Sequence, residues 1–344
     1  MRTQKSDKFI VTWLLMGAFL VASMVVIGGI TRLTQSGLSM VEWKLIMGSV
    51  PPMNELEWEA TFDKYKQFPE YQKLNINYTL RDFKSIFWWE YSHRLLGRVM
   101  GLIFLIPFFY FLVRKRLDKP LLKKLLLVLF MGAFQGFLGW FMVKSGLVNN
   151  PHVSHYRLAA HLVTAFFLFG YIFHLALTIG WPAKTTIKSP YYRGALIVLL
   201  ALISSQILVG AFVAGLKAGL FYTTFPTMNG EWMPAIISKD YSLLGWASLF
   251  DNVASVQFIH RWLGITVWVV IILIGVVYLS SLIKKQKTSF WLLLIAISIQ
   301  ALLGIYTLIY SVPIVLAVLH QLGALVTIMA WVYAIHTTRL QAKI

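Results

Sequence analysis

The chain has 344 residues, of which 58% are hydrophobic and only 13% are charged, and its mean hydropathy is +0.70. A soluble domain carries charge on roughly a quarter of its residues, so the composition excludes a soluble globular protein and indicates a polytopic membrane protein. The formal net charge is +18, and the absence of cysteine excludes disulfides, thiolate metal sites and cysteine nucleophiles.

Eight apolar segments are each long enough to cross a bilayer, which takes about 20 residues in a helix. The first follows "MRTQKSDK" without a small-residue cleavage site, so we expect a retained span and not a cleaved signal peptide. In chain order, the predicted spans are 9–31, 92–113, 121–143, 157–181, 193–215, 259–283, 288–310 and 313–336. The predicted fold class is an all-α polytopic membrane protein with eight transmembrane helices.

Positive charge is concentrated on one side of these spans. With eight spans both termini share a side, and the connections there hold 17 of the 31 Lys and Arg but only two of the 13 acids. The positive-inside rule therefore predicts cytoplasmic N and C termini. The basic excess is an orientation signal and does not indicate a nucleic-acid partner.

The two halves of the chain resemble each other. "EYSHRLLGR" (90–98) matches "QFIHRWLG" (257–264), and "FQGFLGWFMV" (134–143) matches "IQALLGIYTL" (299–308). This repeat predicts two pseudo-symmetric four-helix bundles, related by an axis along the membrane normal. We expect an ordered outer cap on each bundle. The predicted bundles are 1–185 with outer loop 33–91, and 186–344 with outer loop 216–257.

Four histidines occupy equivalent places near the outer ends of their spans. They are His93, His161, His260 and His320. Two imidazoles facing each other across a bundle are what a bis-histidine haem iron requires, whereas zinc takes three or four ligands at one point. The pattern favours two haem sites, although any one of these histidines could instead be a hydrogen-bonded packing residue.

Other polar residues near the outer side have two interpretations. Five arginines could bind haem propionates or extend to lipid headgroups; they are Arg32, Arg94, Arg98, Arg157 and Arg261. His152 and His155 could shield a cofactor or be surface residues, while His174 and His336 are expected to be structural. Glycines near the histidines serve either helix packing or room for a macrocycle; they are Gly97, Gly101, Gly132, Gly136, Gly139, Gly264 and Gly304.

The repeats differ at one informative position. Glu90 precedes His93 by three residues, but Gln257 stands before His260. Three residues are nearly one helical turn, so Glu90 is expected to share a face with His93. A carboxylate there could handle protons or stabilise a developing cation during oxidation of a bound ring. The alternative is an interfacial glutamate paired with Arg94 or Arg157.

"GGITRLTQSGLSMVEWKLIMGSVPP", followed by "EYSHRLLGR", resembles the heme A synthase family, in the branch shared by mitochondria and many bacteria. The resemblance covers nearly the whole chain. It implies oxidation of a ring methyl of haem O to a formyl group, giving haem A for cytochrome c oxidase. It also implies a haem B cofactor on His260 and His320, substrate haem on His93 and His161, and Glu90 as catalytic residue. Some bacterial members carry a cysteine pair in the first outer loop; this chain lacks it, which excludes a thiol-based electron route.

The resemblance also implies a set of partners and a location. Haem O is the expected substrate, and the haem O synthase and an unidentified electron-transfer protein are candidate partners, with homo-oligomerisation open. We expect the bacterial cytoplasmic (inner) membrane, with contacts to lipid and with the haem sites toward the outer face. The alternative function is a quinol-linked di-haem b-type electron-transfer protein. A transporter with a site at the repeat interface would fit the repeat but not the histidine placement.

Overall fold

A computed structural model describes residues 4–42, 50–182 and 190–339. In these ranges the chain is almost entirely α-helical, with short 3-10 turns and one isolated β-bridge. The helices are α1 (Gln4–Leu33), α2 (Glu55–Lys66), α3 (Pro69–Lys73), α4 (Leu80–Val113), α5 (Lys119–Gly146), α6 (His155–Gly180), α7 (Pro190–Gly215), α8 (Ala235–Leu244), α9 (Ser248–Asp251), α10 (Val253–Tyr278), α11 (Lys284–Ile309) and α12 (Ile314–Thr337).

Within the described ranges, eight helices are long and apolar enough to cross a membrane. They are α1, α4, α5, α6, α7, α10, α11 and α12. Many of their apolar side chains face outward; Phe19 is 69% exposed and Val276 is 77% exposed. Such exposure of apolar side chains is expected where lipid and not water surrounds the helix. The predicted all-α fold with eight spans is confirmed.

Helix α4 begins 12 residues before the predicted start of its span, so the last part of the predicted first outer loop, 33–91, is helical. The bounds of that loop stay a prediction. Thr79 starts the helix with a capping box, in which its side chain accepts from the Asp82 backbone and the Asp82 carboxylate accepts from the Thr79 backbone. The first turns of α4 therefore project beyond the apolar segment. Hydropathy alone does not detect such an extension.

The first outer loop is an ordered cap in residues 50–79, which continues into the projecting part of α4. Helices α2 and α4 enclose a cluster of buried aromatic and aliphatic side chains, with Trp58 and Phe87 in edge contact at 4.9 Å between centroids. The cluster consists of Trp58, Phe62, Tyr65, Phe83, Ile86, Phe87 and Tyr91. Residues 43–49, which belong to the sequence segment that carries the family resemblance, lie outside the described ranges.

The contacts within the chain divide it into two compact units. One comprises Met1–Ala18 with Phe166–Ile344, and the other comprises Phe19–Ala165. Within the first unit α7 packs chiefly on α10 and α11 on α12. The boundaries fall inside α1 and α6, and the predicted division into bundles 1–185 and 186–344 stays a prediction.

Candidate functional site

The four candidate ligands fall into two pairs. His161 and His320 are each six residues after the first residue of their helices, α6 and α12, and His260 is seven after the first residue of α10. His93 lies within electrostatic reach of His161, and His260 within reach of His320. Each pair belongs to one compact unit. The structure thus brings the histidines together two by two.

Each histidine ring packs against a glycine on a neighbouring span. Carbon atoms in normal contact are about 3.5–4.0 Å apart, and a Cβ added to any of these glycines would be closer than that to a ring atom. Measured from the added Cβ, Gly28 meets His93 Nε2 at 2.9 Å, Gly139 meets His161 Cε1 at 3.3 Å, Gly210 meets His260 Cε1 at 2.9 Å, and Gly304 meets His320 Cε1 at 2.8 Å. The missing side chain is what allows each ring to approach the adjacent helix.

The other glycines near the histidines have different roles. An added Cβ on Gly97 would meet the methyl group of Met24 at 3.6 Å, and one on Gly264 would meet the amide nitrogen of Gln206 at 3.0 Å. At Gly101, Gly132 and Gly136 an added Cβ meets nothing within 4 Å. The contacts of Gly97 and Gly264 fit helix packing, and room for a macrocycle at the other glycines stays a prediction.

Glu90 is held tightly by hydrogen bonds, three residues before His93 on α4. Its side chain is 3% exposed, and its Oε2 accepts hydrogen bonds from the Ser39 hydroxyl and the Met40 backbone N–H, both at 2.7 Å. Its Oε1 accepts from Arg94 at 2.6 Å, and Arg94 also donates to the main-chain carbonyls of Met40 and Glu42. The ion pair with Arg94, one of the alternatives raised by the sequence, is therefore formed, and it ties α4 to the first outer loop.

Gln257 and Arg261 occupy the corresponding place on α10. The Gln257 amide donates to the Tyr222 carbonyl at 3.1 Å, and Arg261 donates to the carbonyls of Thr224 at 2.6 Å and Thr227 at 3.0 Å. The second outer loop is thus tied to α10 by the same i, i+4 arrangement, without a negative charge.

Comparison with known proteins identifies the family. The COX15-CtaA family model, described as cytochrome oxidase assembly protein, matches residues 11–332. The chain belongs to the heme A synthase family. Proteins named heme A synthase from Nitrosospira multiformis and Flavobacterium psychrophilum are each 46% identical to it, covering 98% and 96% of this chain and 97% and 98% of their own lengths. A third, from Paramagnetospirillum magneticum, is 43% identical over 95% of this chain and 93% of its own.

The heme A synthase family uses haem, so the histidine surroundings can be tested for iron ligation. A buried polar atom normally has a hydrogen-bond partner. The Nδ1 atoms of His161, His260 and His320 are buried and form no hydrogen bond within the described residues. Each of these rings therefore keeps a nitrogen without a hydrogen-bond partner in the described part of the chain. Such rings fit axial ligands of haem in a heme A synthase.

A compact metal site of the zinc type finds no support in the described part of the chain. Residues 4–42, 50–182 and 190–339 contain no group of three or more His, Asp or Glu that could hold a metal ion. Two ligands on each of two sites suit a macrocycle that already supplies the equatorial ligands of the iron.

Three of the five candidate propionate partners, Arg94, Arg157 and Arg261, donate hydrogen bonds to main-chain carbonyls. Besides Arg94 and Arg261, Arg157 donates to the Phe141 carbonyl at 2.7 Å, and its guanidinium lies 3.7 Å from the Phe141 ring centroid. The Arg261 Nε is buried and has no hydrogen-bond partner among the described residues, so this side chain keeps an unused donor. Binding of propionates by Arg32, Arg94, Arg98, Arg157 or Arg261 stays a prediction.

The remaining histidines have local contacts. His152 Nδ1 is 2.7 Å from the Pro151 carbonyl, and the His155 ring lies 4.1 Å from that of Tyr156. The two deeper histidines make polar contacts: His174 pairs with Arg339, and His336 Nε2 is 2.7 Å from the Trp181 carbonyl. These contacts accord with structural roles for His174 and His336.

Proposed function

We propose that the protein converts haem O to haem A, with Glu90, His93 and His161 forming the substrate site and His260 and His320 holding a haem B cofactor. It is an oxidoreductase, because it belongs to the heme A synthase family and its relatives that bear this name match nearly its full length. The repeat of histidine and glycine contacts supports two haem sites. The change from Gln257 to Glu90 supports placing the chemistry at the first.

The single observation that carries the site assignment is the buried carboxylate beside only one of the two pairs. Glu90 is 3% exposed and lies three residues before His93, nearly one turn away on the same helix. A buried ion pair gives little net stability, because removing both charges from solvent offsets their attraction. The neutral Gln257 also binds its loop, by a hydrogen bond to the Tyr222 carbonyl. The charge at Glu90 is therefore best explained by chemistry.

With water as the source of the formyl oxygen, oxidation of a methyl group to a formyl group releases four protons and four electrons. Glu90 Oε1 would receive a proton, or its charge would stabilise positive charge developing on the substrate ring. Arg94 and Ser39 fix the carboxylate, so that the charge stands at one place before the reaction begins. Haem B, when held by His260 and His320, would supply one-electron transfer. The excluded thiol route leaves an electron-transfer partner in the membrane as the expected acceptor.

The location follows from the same reasoning. The protein is a multi-pass membrane protein, and relatives of bacterial origin support the cytoplasmic membrane. The charge bias of the connections supports cytoplasmic termini, which would turn both histidine pairs toward the outer face. Association with the haem O synthase and a homo-oligomeric state are further parts of this proposal.

The test removes the negative charge of Glu90 while keeping the shape of its side chain. In Glu90→Gln, the amide oxygen can still accept from the Ser39 hydroxyl and the Met40 backbone N–H of the first outer loop, so haem content should be retained. Conversion of haem O should fall by about 10²–10⁴-fold, the usual contribution of a positioned acid or base. Haems are extracted from the purified protein and separated by reversed-phase chromatography with mass detection.

The matched control is Glu57→Gln, which alters a carboxylate that binds the Met53 backbone and the Asn54 amide at the start of α2, in the same loop. Its conversion should stay close to wild type. Full conversion by Glu90→Gln would overturn the catalytic assignment. Haem B alone at two per chain, with no conversion by wild type, would favour the di-haem electron-transfer function.

A further inference from the structure

The glycines that meet the histidine rings share a second feature. Four residues before each glycine, a long side chain lies beside the histidine-bearing helix. In three cases this residue is a glutamine, at Gln135, Gln206 and Gln300, and in the fourth it is Met24. The fourth belongs to His93, the candidate ligand next to Glu90.

The glutamines bind the helices that they face. Gln135 Nε2 donates to the main-chain carbonyl of His161 at 2.9 Å, and Gln206 Nε2 donates to that of His260 at 3.0 Å. The Gln206 amide also lies 3.4 Å from His260 Nε2. These bonds fix the backbone of the histidine against the adjacent helix, so that the ring orientation is set from both sides.

Gln300 faces the fourth helix pair with a different atom. Its side-chain oxygen lies against Gly323, three residues after His320, whereas the amide nitrogen of Gln206 lies against Gly264, four residues after His260. The side-chain oxygens of all three glutamines are buried and have no hydrogen-bond partner among the described residues. Buried polar atoms are normally paired, so these amides are retained for more than packing.

Met24 occupies the equivalent position but cannot donate a hydrogen bond to the main chain of the facing helix. Its terminal methyl lies 3.6 Å from the place of a Cβ on Gly97, which is four residues after His93. A thioether has no N–H to donate and turns readily about its bonds. The main chain at His93 therefore receives no side-chain amide from this position.

The ring of His93 is also turned differently. Its Nε2 is the atom nearest to the facing glycine, Gly28, whereas His161, His260 and His320 each present Cε1 to theirs. The difference in the ring coincides with the difference in the neighbouring side chain. Two separate features thus mark the same histidine.

We propose that Gln135 and Gln206 are positioning residues that hold His161 and His260 in a fixed orientation, and that Met24 leaves His93 able to turn. His93 is then the exchangeable ligand, through whose release the substrate haem enters and the product haem leaves. A permanent cofactor benefits from a fixed ligand, while a substrate site must let its product go. The inference rests on the proposed function, in which His93 and His161 bind the substrate haem.

The experiment measures the release of each haem from the detergent-purified full chain to an excess of apomyoglobin. Met24→Gln adds the missing amide and should slow release of haem O and haem A by about tenfold or more, the scale of effects from groups that orient metal ligands. Release of haem B should not change. Gln206→Met should speed haem B release by a similar factor without changing haem O release. The optical and electron paramagnetic resonance spectra report whether bis-histidine ligation is kept.

Met24→Leu is the matched control, because it changes the side chain without adding a donor, and its release rates should equal those of wild type. Equal rates in Met24→Gln and Met24→Leu would overturn the inference. Should Met24→Gln fail to fold, Gln135→Met decides, since it must speed release of haem O. If His93→Ala and His161→Ala leave haem O bound, the proposed ligands themselves are wrong, which is a different outcome.

Discussion

The helices that carry His93 and His260 hold their outer loops with side chains at the same spacing but with different charge. On α4 a carboxylate and an arginine, Glu90 and Arg94, bind backbone groups of residues 40–42. On α10 a neutral amide and an arginine, Gln257 and Arg261, bind those of residues 222–227. Anchoring of the loop therefore does not require the charge, and the comparison separates a structural role shared by both positions from a chemical role that only Glu90 can have.

The largest effects on haem content and on conversion are expected when the histidine ligands themselves are removed. His260→Ala or His320→Ala should eliminate stably bound haem B, because one axial ligand is lost from a site with two. His93→Ala or His161→Ala should keep haem B while conversion of haem O is abolished. Extraction and mass detection of the haems gives both quantities for each variant. Loss of haem B in all four variants would contradict the division into a cofactor pair and a substrate pair.

A graded effect is expected from the glycines that meet the rings. Gly304→Ala, with its Cβ 2.8 Å from His320, should displace that ring and lower haem B content severalfold. Gly139→Ala, at 3.3 Å from His161, should have a smaller effect on haem O binding. Gly136 lies on the same helix as Gly139, and a Cβ added there meets nothing within 4 Å, so Gly136→Ala serves as the control. An equal loss of haem in all three would mean that helix propensity or lipid packing, and not the ring contact, limits binding.

The parts of the fold and site that could be predicted are those fixed by local sequence. Span existence follows from apolar length, and all eight predicted spans are present. The histidines could be predicted as two pairs because their spacing from the span ends repeats. Glu90 was recognised because its counterpart differs in charge, which one aligned position reveals.

What could not be predicted depends on helix rotation and on packing between helices. That Gly28 meets His93 and Gly210 meets His260 depends on how the helices pack against each other. The equivalence of Met24 with the three glutamines can be recognised only when it is known which glycine faces which histidine. The early start of α4 was missed because the Thr79 cap precedes a polar stretch.

Replacement of the two loop-binding arginines, Arg94 and Arg261, tests whether only the first also affects conversion. Lysine keeps the charge but cannot donate in the fixed fork of a guanidinium. Arg94→Lys and Arg261→Lys should each weaken loop anchoring by about 1.5–3 kcal/mol, the range for hydrogen bonds involving a charged group. Hydrogen exchange of residues 38–42 and 222–227 would report this. Only Arg94→Lys should also slow conversion severalfold, since of the two arginines only Arg94 binds Glu90. Equal conversion by both variants would contradict that role.

The smallest expected effect concerns the first outer cap, where Tyr65 is fully buried. Its hydroxyl donates to Glu70 at 3.1 Å and accepts from the Asn75 amide at 2.8 Å. Burial, with the nearby Glu70 carboxylate adding to it, raises the pKa of the Tyr65 phenol above its ordinary value. A phenol whose pKa is raised on folding stabilises the fold fully below the unfolded pKa of about 10, and this contribution is lost as pH rises further.

Protection of the α2 amides from hydrogen exchange should therefore fall above about pH 10 in the wild type, and the fall should be shallower in Tyr65→Phe. At neutral pH the variant should lose about 1–2 kcal/mol of cap stability, because Glu70 and Asn75 each lose a hydrogen-bond partner. Tyr241→Phe, at an exposed tyrosine of α8, is the control and should keep the wild-type profile for α2. An unchanged alkaline profile in Tyr65→Phe would show that another group governs the cap. Conversion of haem O at neutral pH should change little, since the Tyr65 hydroxyl binds Glu70 and Asn75, whereas Glu90 is bound by Ser39, Met40 and Arg94.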